Sequence, residues 1–232
     1  MPTKRFLTPF AIMSLTLGLL MSGCSANTPI DAGKASVVAT SLGAPGVWTW
    51  GDEYPIDEFS TDAADQKKQA TNTLRPIFDT LKAKCGQDLS WAVDSLTVAA
   101  HWFEYKGNRG DFWFLAFDRL IAERMSLNAD TLQCMLRVYD DLREDLRLLG
   151  SDDYWLDWWW YRPHDQADAA TSEPHIFSDG VVGITFSQTI GSTSWSGNSC
   201  FYKNVALVNV FYGEPPGENP CQELKRLVDQ AA

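Results

Sequence analysis

The chain has 232 residues, of which 30 are acidic and 19 are basic, and its formal net charge is −11. So acidic a chain is repelled by nucleic acids and by anionic lipid headgroups, and the charge therefore excludes nucleic-acid binding. Hydrophobic residues make up 45% of the chain, which at this length predicts a folded body with a real core.

Residues 1–23 have the features of a signal peptide. A basic start, Lys4-Arg5, precedes a mainly apolar stretch from Phe6 to Met21, which is shorter than the roughly 20 residues of a membrane-spanning helix. Removing residues 1–23 takes away two basic residues and no acidic one. The formal net charge of the remainder is therefore −13.

The end of this segment, Leu20-Met21-Ser22-Gly23-Cys24, resembles the lipobox of bacterial lipoproteins. The resemblance implies that the chain is cut before Cys24 and that this cysteine carries the acyl chains of a membrane anchor. Ser25 favours, by the same resemblance, the outer membrane, facing the periplasm, over the inner membrane. The alternative is an ordinary secretory signal in which Cys24 is incidental.

The segment after the lipobox is poor in residues that build a core. Residues 25–46 are small and polar, and they predict a flexible tether with a typical span of about 25 Å. A single domain is then expected over residues 47–232. Its first element is a strand at Val47–Trp50, where Trp48 and Trp50 alternate with smaller residues.

Four helices are predicted between about residue 70 and Gly150. Apolar residues at helical spacing predict the first, which is kinked or divided at Pro76 and stops at Gly86. The same spacing predicts further helices over 88–105, 111–125 and 128–149, with Asp111 and Asn128 as caps of the last two.

The pattern changes to that of strands after Ala170. Val182 to Ile190 alternates with period two, and Phe201 to Tyr212 is a second strand-like run. Gly191 to Asn198 between them predicts a turn or loop, and Asn219-Pro220 predicts the start of a short final helix. The expected fold is α+β: about four N-terminal helices, then a small antiparallel hairpin or sheet, and a short C-terminal helix.

Four cysteines remain besides Cys24: Cys85, Cys134, Cys200 and Cys221. An even number in an oxidising compartment predicts two disulfides, for which three pairings are possible. We favour Cys85–Cys134 with Cys200–Cys221, because each bond then stays within one half of the fold. The wide spacing and the lack of a CxxC motif argue against a zinc site, and no metal is expected.

The most unusual segment is the aromatic cluster at residues 154–161. It is either a core layer between the helical and β halves or a binding surface for a protein or a glycan, since exposed Trp and Tyr anchor interfaces and stack on sugar rings. Its candidate binding residues are Tyr154, Trp155, Trp158, Trp159, Trp160 and Tyr161. Nearby Asp152, Asp153 and Asp157 include a possible pair of carboxylates for glycoside hydrolysis.

Histidine positions give only weak candidates for chemistry. His101 and Glu104 would lie one helical turn apart, as metal ligands, as an acid and base, or as a hydrogen bond at a helix end. His164-Asp165 and His175 fall in predicted loops. No motif specifies a nucleophile or a phosphate loop, so the catalytic residues are unknown and no cofactor is expected.

These observations favour a non-catalytic lipoprotein that binds another envelope protein, as an assembly accessory, inhibitor or immunity factor. The acidic charge would suit a basic partner. The alternative is a lipoprotein that binds or hydrolyses cell-wall glycan, which the aromatic cluster and its flanking acids would serve.

Overall fold

The fold is built on one antiparallel sheet of seven strands. The computed structural model describes residues 28–49, 75–135, 137–138, 169–178, 180–213 and 217–232. The strands are β1 (Trp48–Thr49), β2 (Leu96–Tyr105), β3 (Asn108–Phe117), β4 (Ala169–Ser178), β5 (Val181–Ile190), β6 (Thr193–Tyr202) and β7 (Val205–Tyr212). They lie in the order β1-β2-β3-β7-β6-β5-β4.

Helices cover both faces of this sheet. They are α1 (Ala32–Ser41), α2 (75–85), α3 (Trp91–Ser95), α4 (helical at 129–135 and 137–138) and α5 (Pro220–Ala231), with a 3₁₀ turn at Ile121–Glu123. Buried residues of α1 and α5 pack with one face of β2, β3 and β7. Buried residues of α2 and α4 pack with the opposite face.

The predicted four-helix N-terminal part is wrong. Most of the predicted helix over 88–105 is strand β2, and the predicted helix over 111–125 begins in strand β3, which continues to Phe117. Gly107 and Asn108, which lie between these two predicted helices, belong to the hairpin that joins the strands. Because helices bury both faces of β2 and β3, their sequences are nearly continuous apolar runs, and periodicity cannot separate such runs from buried helices.

Other predicted elements agree with the structure. Val182–Ile190 lies in β5, the run at 201–212 contains β7, and α5 starts where Asn219 accepts a hydrogen bond from the Cys221 backbone N–H at 2.9 Å. α2 ends at Gly86, which has a positive φ of 66°. The two disulfides are present and join Cys85 to Cys134 and Cys200 to Cys221, the favoured pairs.

The chain enters the folded body earlier than the sequence predicts. Ile30 is 4% exposed, and α1 lies within the region that we assigned to a flexible tether. Asn204, fully buried at the β6–β7 turn, binds both backbone groups of Ile30: its Oδ1 accepts from the N–H at 2.9 Å, and its Nδ2 donates to the carbonyl at 2.8 Å. The Asn204 side chain also donates to the Phe117 carbonyl at 2.7 Å.

Two clusters of tyrosine, carboxylate and lysine fasten α5 to turns of the sheet. At the β2–β3 turn, Tyr105 donates to Glu223, which also pairs with Lys106 at 2.7 Å. At the β6–β7 turn, Tyr202 donates to Asp229 at 2.6 Å. Lys225 and Lys203 pair with the same Asp229 carboxylate at 2.8 and 3.0 Å.

The second cluster lowers the pKa of Asp229, the carboxylate that fastens α5 to the β6–β7 turn. Burial would raise the pKa of Asp229, but hydrogen bonds from Lys225, Tyr202 and Lys203 outweigh it and lower the pKa to about 2. The pKa in the folded state is therefore below the usual value of 3.8. A carboxyl group whose pKa is lowered by folding stabilises the fold at pH values above its ordinary pKa of 3.8. This stabilisation is lost as the pH falls through the lowered pKa of about 2.

We expect Asp229→Asn to destabilise the protein at pH 7 by about 1 kcal/mol, because the lost hydrogen bonds involve a charged group but that group is partly exposed and screened by water. Urea unfolding at several pH values measures this effect. The loss of stability of the wild-type protein between about pH 4 and pH 2 should be smaller in the variant. Tyr202→Phe, which keeps the carboxylate but removes one donor, should move the acid transition to higher pH. An unchanged acid transition in Asp229→Asn would contradict this assignment.

Close packing between β6 and its neighbours requires a glycine at position 197. A Cβ at Gly197 would lie 1.9 Å from the Asn209 carbonyl oxygen and 2.6 Å from Cζ of Phe186. At Gly217 nothing lies within 4 Å of such a Cβ. Position 197 therefore has no room for a side chain, whereas position 217 does.

We expect Gly197→Ala to lower the free energy of unfolding by about 3 kcal/mol, because backbone must move to admit the methyl group. Gly217→Ala is the matched control and should change it by less than about 0.5 kcal/mol. Thermal melts followed by circular dichroism compare the two variants. Equal melting temperatures would show that β6 does not pack this closely.

Candidate interaction surface

One region of the sheet presents hydroxyl and amide side chains in place of a core. It lies on β4, β5 and β6, on the face that carries α1 and α5, and we call it the hydroxyl face. The register places its members in three rows. The rows are Thr189 with Ser194; Thr171 with Ser187 and Ser196; and Glu173 with Thr185 and Asn198.

The hydroxyl face is open to solvent and almost uncharged. Thr171, Glu173, Ser187 and Ser194 are exposed, and the other four members are half-buried. Hydroxyl pairs link neighbouring strands, with 2.8 Å between Oγ1 of Thr171 and Oγ of Ser187. Each hydroxyl can also accept from or donate to a ligand. Glu173 is the single charged side chain among the eight members.

A buried amide pair and a disulfide border the hydroxyl face on the side of α5. Asn198 donates to Oδ1 of Asn209 at 3.3 Å, and Asn209 is fully buried beside Cys221. The Cys200–Cys221 disulfide joins β6 to the first turn of α5 next to this amide pair. The border of the face is therefore held by a covalent bond, which fixes how α5 and β6 meet.

Edge strand β4 limits the hydroxyl face on the other side. Among the described strands β4 has a neighbour on one side only, β5. Pro174 removes one backbone donor from β4, and the register is irregular between Ile176 and Ser178. Both features oppose indiscriminate pairing with a foreign strand. The side chains of the face, more than the backbone of its edge, are therefore suited to contact a ligand.

The exposed large apolar side chains of the described part of the chain do not form one patch. Ile176 is 74% exposed on β4, and Phe103 is 67% exposed on β2, at the far side of the sheet. Tyr212, on β7, is 44% exposed and contacts Trp195 edge to face. Scattered exposed apolar residues are normal on protein surfaces and define no site.

The predicted pair of His101 and Glu104 is not on a helix. Both residues lie in β2, so they are not one helical turn apart. The His101 ring stacks on Trp113, with 3.8 Å between the ring centroids, and meets Phe103 edge to face at 4.7 Å. The structure therefore places His101 in an aromatic contact.

His175 lies in strand β4 and not in a loop as predicted. It is exposed, it pairs with Gly183 in the row next to Glu173 and Thr185, and its ring contacts Phe177 edge to face at 4.7 Å. The structure thus adds an imidazole to the border of the hydroxyl face.

Several candidates lie outside the described residues. They are Cys24, the carboxylates Asp152, Asp153 and Asp157, the pair His164-Asp165, and the aromatic cluster Tyr154, Trp155, Trp158, Trp159, Trp160 and Tyr161. Their predicted roles in lipidation, binding or hydrolysis stay predictions. Over the ranges that the structure covers, no three His, Cys, Asp or Glu side chains come together as a potential metal site.

Sequence reasoning missed the hydroxyl face, although part of its signal was present. The alternation that predicts β5 also places Thr185, Ser187 and Thr189 together on the opposite face. Ser194, Ser196 and Asn198 alternate in the same way but were assigned to a turn, whereas the structure shows them in β6. Glycine and serine are typical of turns, and that composition hid the period of two.

Comparison with known proteins gives no family for this chain. A scan against protein-family models finds no match, and a search of curated proteins finds no significant relative. Within the described segments, no helix has both the length and the apolar character needed to cross a membrane. The function must therefore be argued from the residues and their geometry.

Proposed function

We propose that this chain is a lipid-anchored protein of the bacterial cell envelope that binds a basic protein partner on its hydroxyl face. The proposal includes acylation of Cys24, residence at the outer membrane facing the periplasm, and a binding role without catalysis. The observation that carries it is the open, nearly uncharged face of hydrogen-bonding side chains on β4, β5 and β6.

Support for the anchor comes from the N-terminal sequence and from the disulfides. Leu20 to Cys24 resembles a lipobox, and acyl chains contribute about 0.8 kcal/mol of membrane affinity per buried methylene. Disulfides such as Cys85–Cys134 persist in oxidising compartments, among them the periplasm. An exported, membrane-attached chain is consistent with both features.

Support for a binding role comes from the low desolvation cost of the hydroxyl face. Burying a charged side chain against a partner requires a compensating charge, whereas a hydroxyl needs only one hydrogen bond. Charged residues are accordingly depleted at the centres of protein interfaces. In an otherwise acidic chain, the only charged residue among the eight members of the face is Glu173, so a partner that covers this surface buries few charges.

The size of the hydroxyl face indicates how far a partner must extend. Strand spacing makes it about 10 Å wide from β4 to β6, and Thr185 to Thr189 span about 14 Å along β5. This is less than the roughly 800 Å² per partner of a stable interface. A protein partner would therefore also contact neighbouring surface, including His175 and the exposed parts of α5.

The experiment is a capture assay with the lipidated chain in detergent, using envelope extract as the source of partners. We expect it to retain a basic protein at low salt and to release it at high salt, since an acidic surface attracts such partners over a Debye length. Ser187→Lys with Ser194→Lys places two cations on the hydroxyl face. This variant should bind the same protein at least about tenfold more weakly, a loss of about 1.4 kcal/mol.

Ala83→Lys with Ala129→Lys is the matched control, because both alanines are exposed, on α2 and α4, on the opposite side of the sheet. It should bind as the wild-type protein does. Equal capture by the face variant and the control would reject the hydroxyl face as the binding surface.

If purified peptidoglycan sediments the wild-type chain but not the face variant, the ligand is a cell-wall glycan and the protein partner is rejected.

A further inference from the structure

The link between the anchor position and the folded body is very short. Six residue steps separate Cys24 from Ile30. Even when fully extended they span at most about 20 Å. This limit follows from the number of residues alone, because the folded body begins at Ile30 and not at residue 47 as predicted.

Ile30 is held firmly at one end of the molecule. Its N–H and its carbonyl are both bound by the side chain of Asn204. It is followed by Asp31, which caps α1 by accepting from the Lys34 N–H at 2.9 Å. Moving Ile30 away to lengthen the link would be unfavourable, because it would expose an apolar side chain and leave the buried Asn204 amide without two of its hydrogen-bond partners.

Several other elements meet at the same end, which we call the proximal end. The β6–β7 turn holds Asn204, and its neighbour Lys203 accepts at its carbonyl from the Ile121 N–H at 2.9 Å. The β4–β5 turn approaches there too, since a Cβ on Gly180 would lie 3.3 Å from the Tyr202 ring. The end of α5 lies nearby, where the Lys34 ammonium donates to the Ala232 carbonyl at 3.0 Å.

The hydroxyl face lies toward the opposite end of the sheet. β5 leaves the proximal end at Val181 and reaches Ile190 nine residues later, about 30 Å away. Thr185 lies at the middle of β5, and Ser187 and Thr189 lie in the half that is farther from the proximal end. The β5–β6 turn at Gly191-Ser192 marks the distal end.

We propose that the protein stands on the lipid surface with its proximal end against the headgroups, so that the hydroxyl face lies toward the end of the sheet that is farther from them. This inference rests on the proposed lipidation of Cys24. The ligand of the proximal end is the bilayer surface, because the acyl chains lie no farther than the short link allows. The link thus sets both the distance and the orientation of the body, and it places the partner-binding surface tens of ångströms into the periplasm.

Energy transfer to labelled lipids tests this orientation in the full lipidated chain. A donor dye is attached through a non-canonical azide residue at position 119 or 192, replacing Arg119 at the proximal end or Ser192 at the distal end, both of which are exposed. The vesicles contain phosphatidylethanolamine, phosphatidylglycerol and a headgroup-linked acceptor. Because the positions differ by about 30 Å in height, we expect transfer from position 119 to be several-fold stronger than from position 192.

A flexible insertion provides the control for the short link. Twenty Gly and Ser residues placed between Asn27 and Thr28 would add a span of roughly 25 Å and let the body rotate. The difference between the two dyes should then largely disappear. Equal transfer from both positions in the uninserted chain, or stronger transfer from position 192, would overturn the proposed orientation.

Cosedimentation with the vesicles separates this inference from the proposed anchor. Cys24→Ser should abolish vesicle binding if the acyl chains provide the attachment. If the wild-type chain carries no acyl chain and does not cosediment, the anchor itself is rejected and the orientation is rejected with it. If the chain cosediments but the two dyes transfer equally, the anchor stands and only the orientation is wrong.

Discussion

The structure depends on one constraint: the central strands of the sheet are apolar on both faces, so both faces must be covered. On β3, Phe112 and Phe114 point to one side while Trp113 and Leu115 point to the other, and all four are buried. Helices from distant parts of the sequence provide the cover. Toward β4 one face becomes polar, and the described helices do not extend over it, which leaves the hydroxyl face open to solvent.

Because both faces must stay covered, the covering helices must also be attached to the sheet. α5 buries only a narrow apolar stripe, and its position is fixed by the Cys200–Cys221 disulfide together with the Tyr105 and Tyr202 clusters near its two ends. Closing a loop of about 20 residues by a disulfide contributes about 3 kcal/mol in the chain-entropy model. Asn204 holds the start of α1 through Ile30, and Lys203 holds the end of α5 through Asp229. The β6–β7 turn, which carries both residues, therefore positions both helices.

The constraint also explains what the sequence could and could not predict. β5 was predicted because one of its faces is apolar and the other polar, which leaves a clear period of two. α5 was predicted because its cap and its apolar stripe are local features. β2 and β3 were not, because burial on both faces removes the period that distinguishes a strand from a helix.

α1 was missed for a different reason, which bears on the candidate site as well. Its buried residues include Ala35 and Ala39, whose small side chains give little hydrophobic signal, although Asp31 supplied a recognisable cap. Ser194 and Ser196 were missed for the same reason, since small polar residues resemble a turn when read locally. In both segments the structure is decided by contacts with distant residues, such as that between Ile30 and Asn204, which local patterns do not contain.

The negative net charge of the chain, the hydroxyl face and the proposed anchor at Cys24 are consistent with one physical arrangement. An acidic body attracts a basic protein from a distance, and this attraction acts mainly on the rate of encounter. The nearly uncharged hydroxyl face would then contact the partner with little desolvation of charged groups. The same acidic body is repelled by anionic headgroups, so a long link would let it drift away from the membrane and rotate freely. With Cys24 acylated as proposed, a link of six residue steps would oppose that repulsion and would hold the hydroxyl face toward the end of the body that is farther from the membrane.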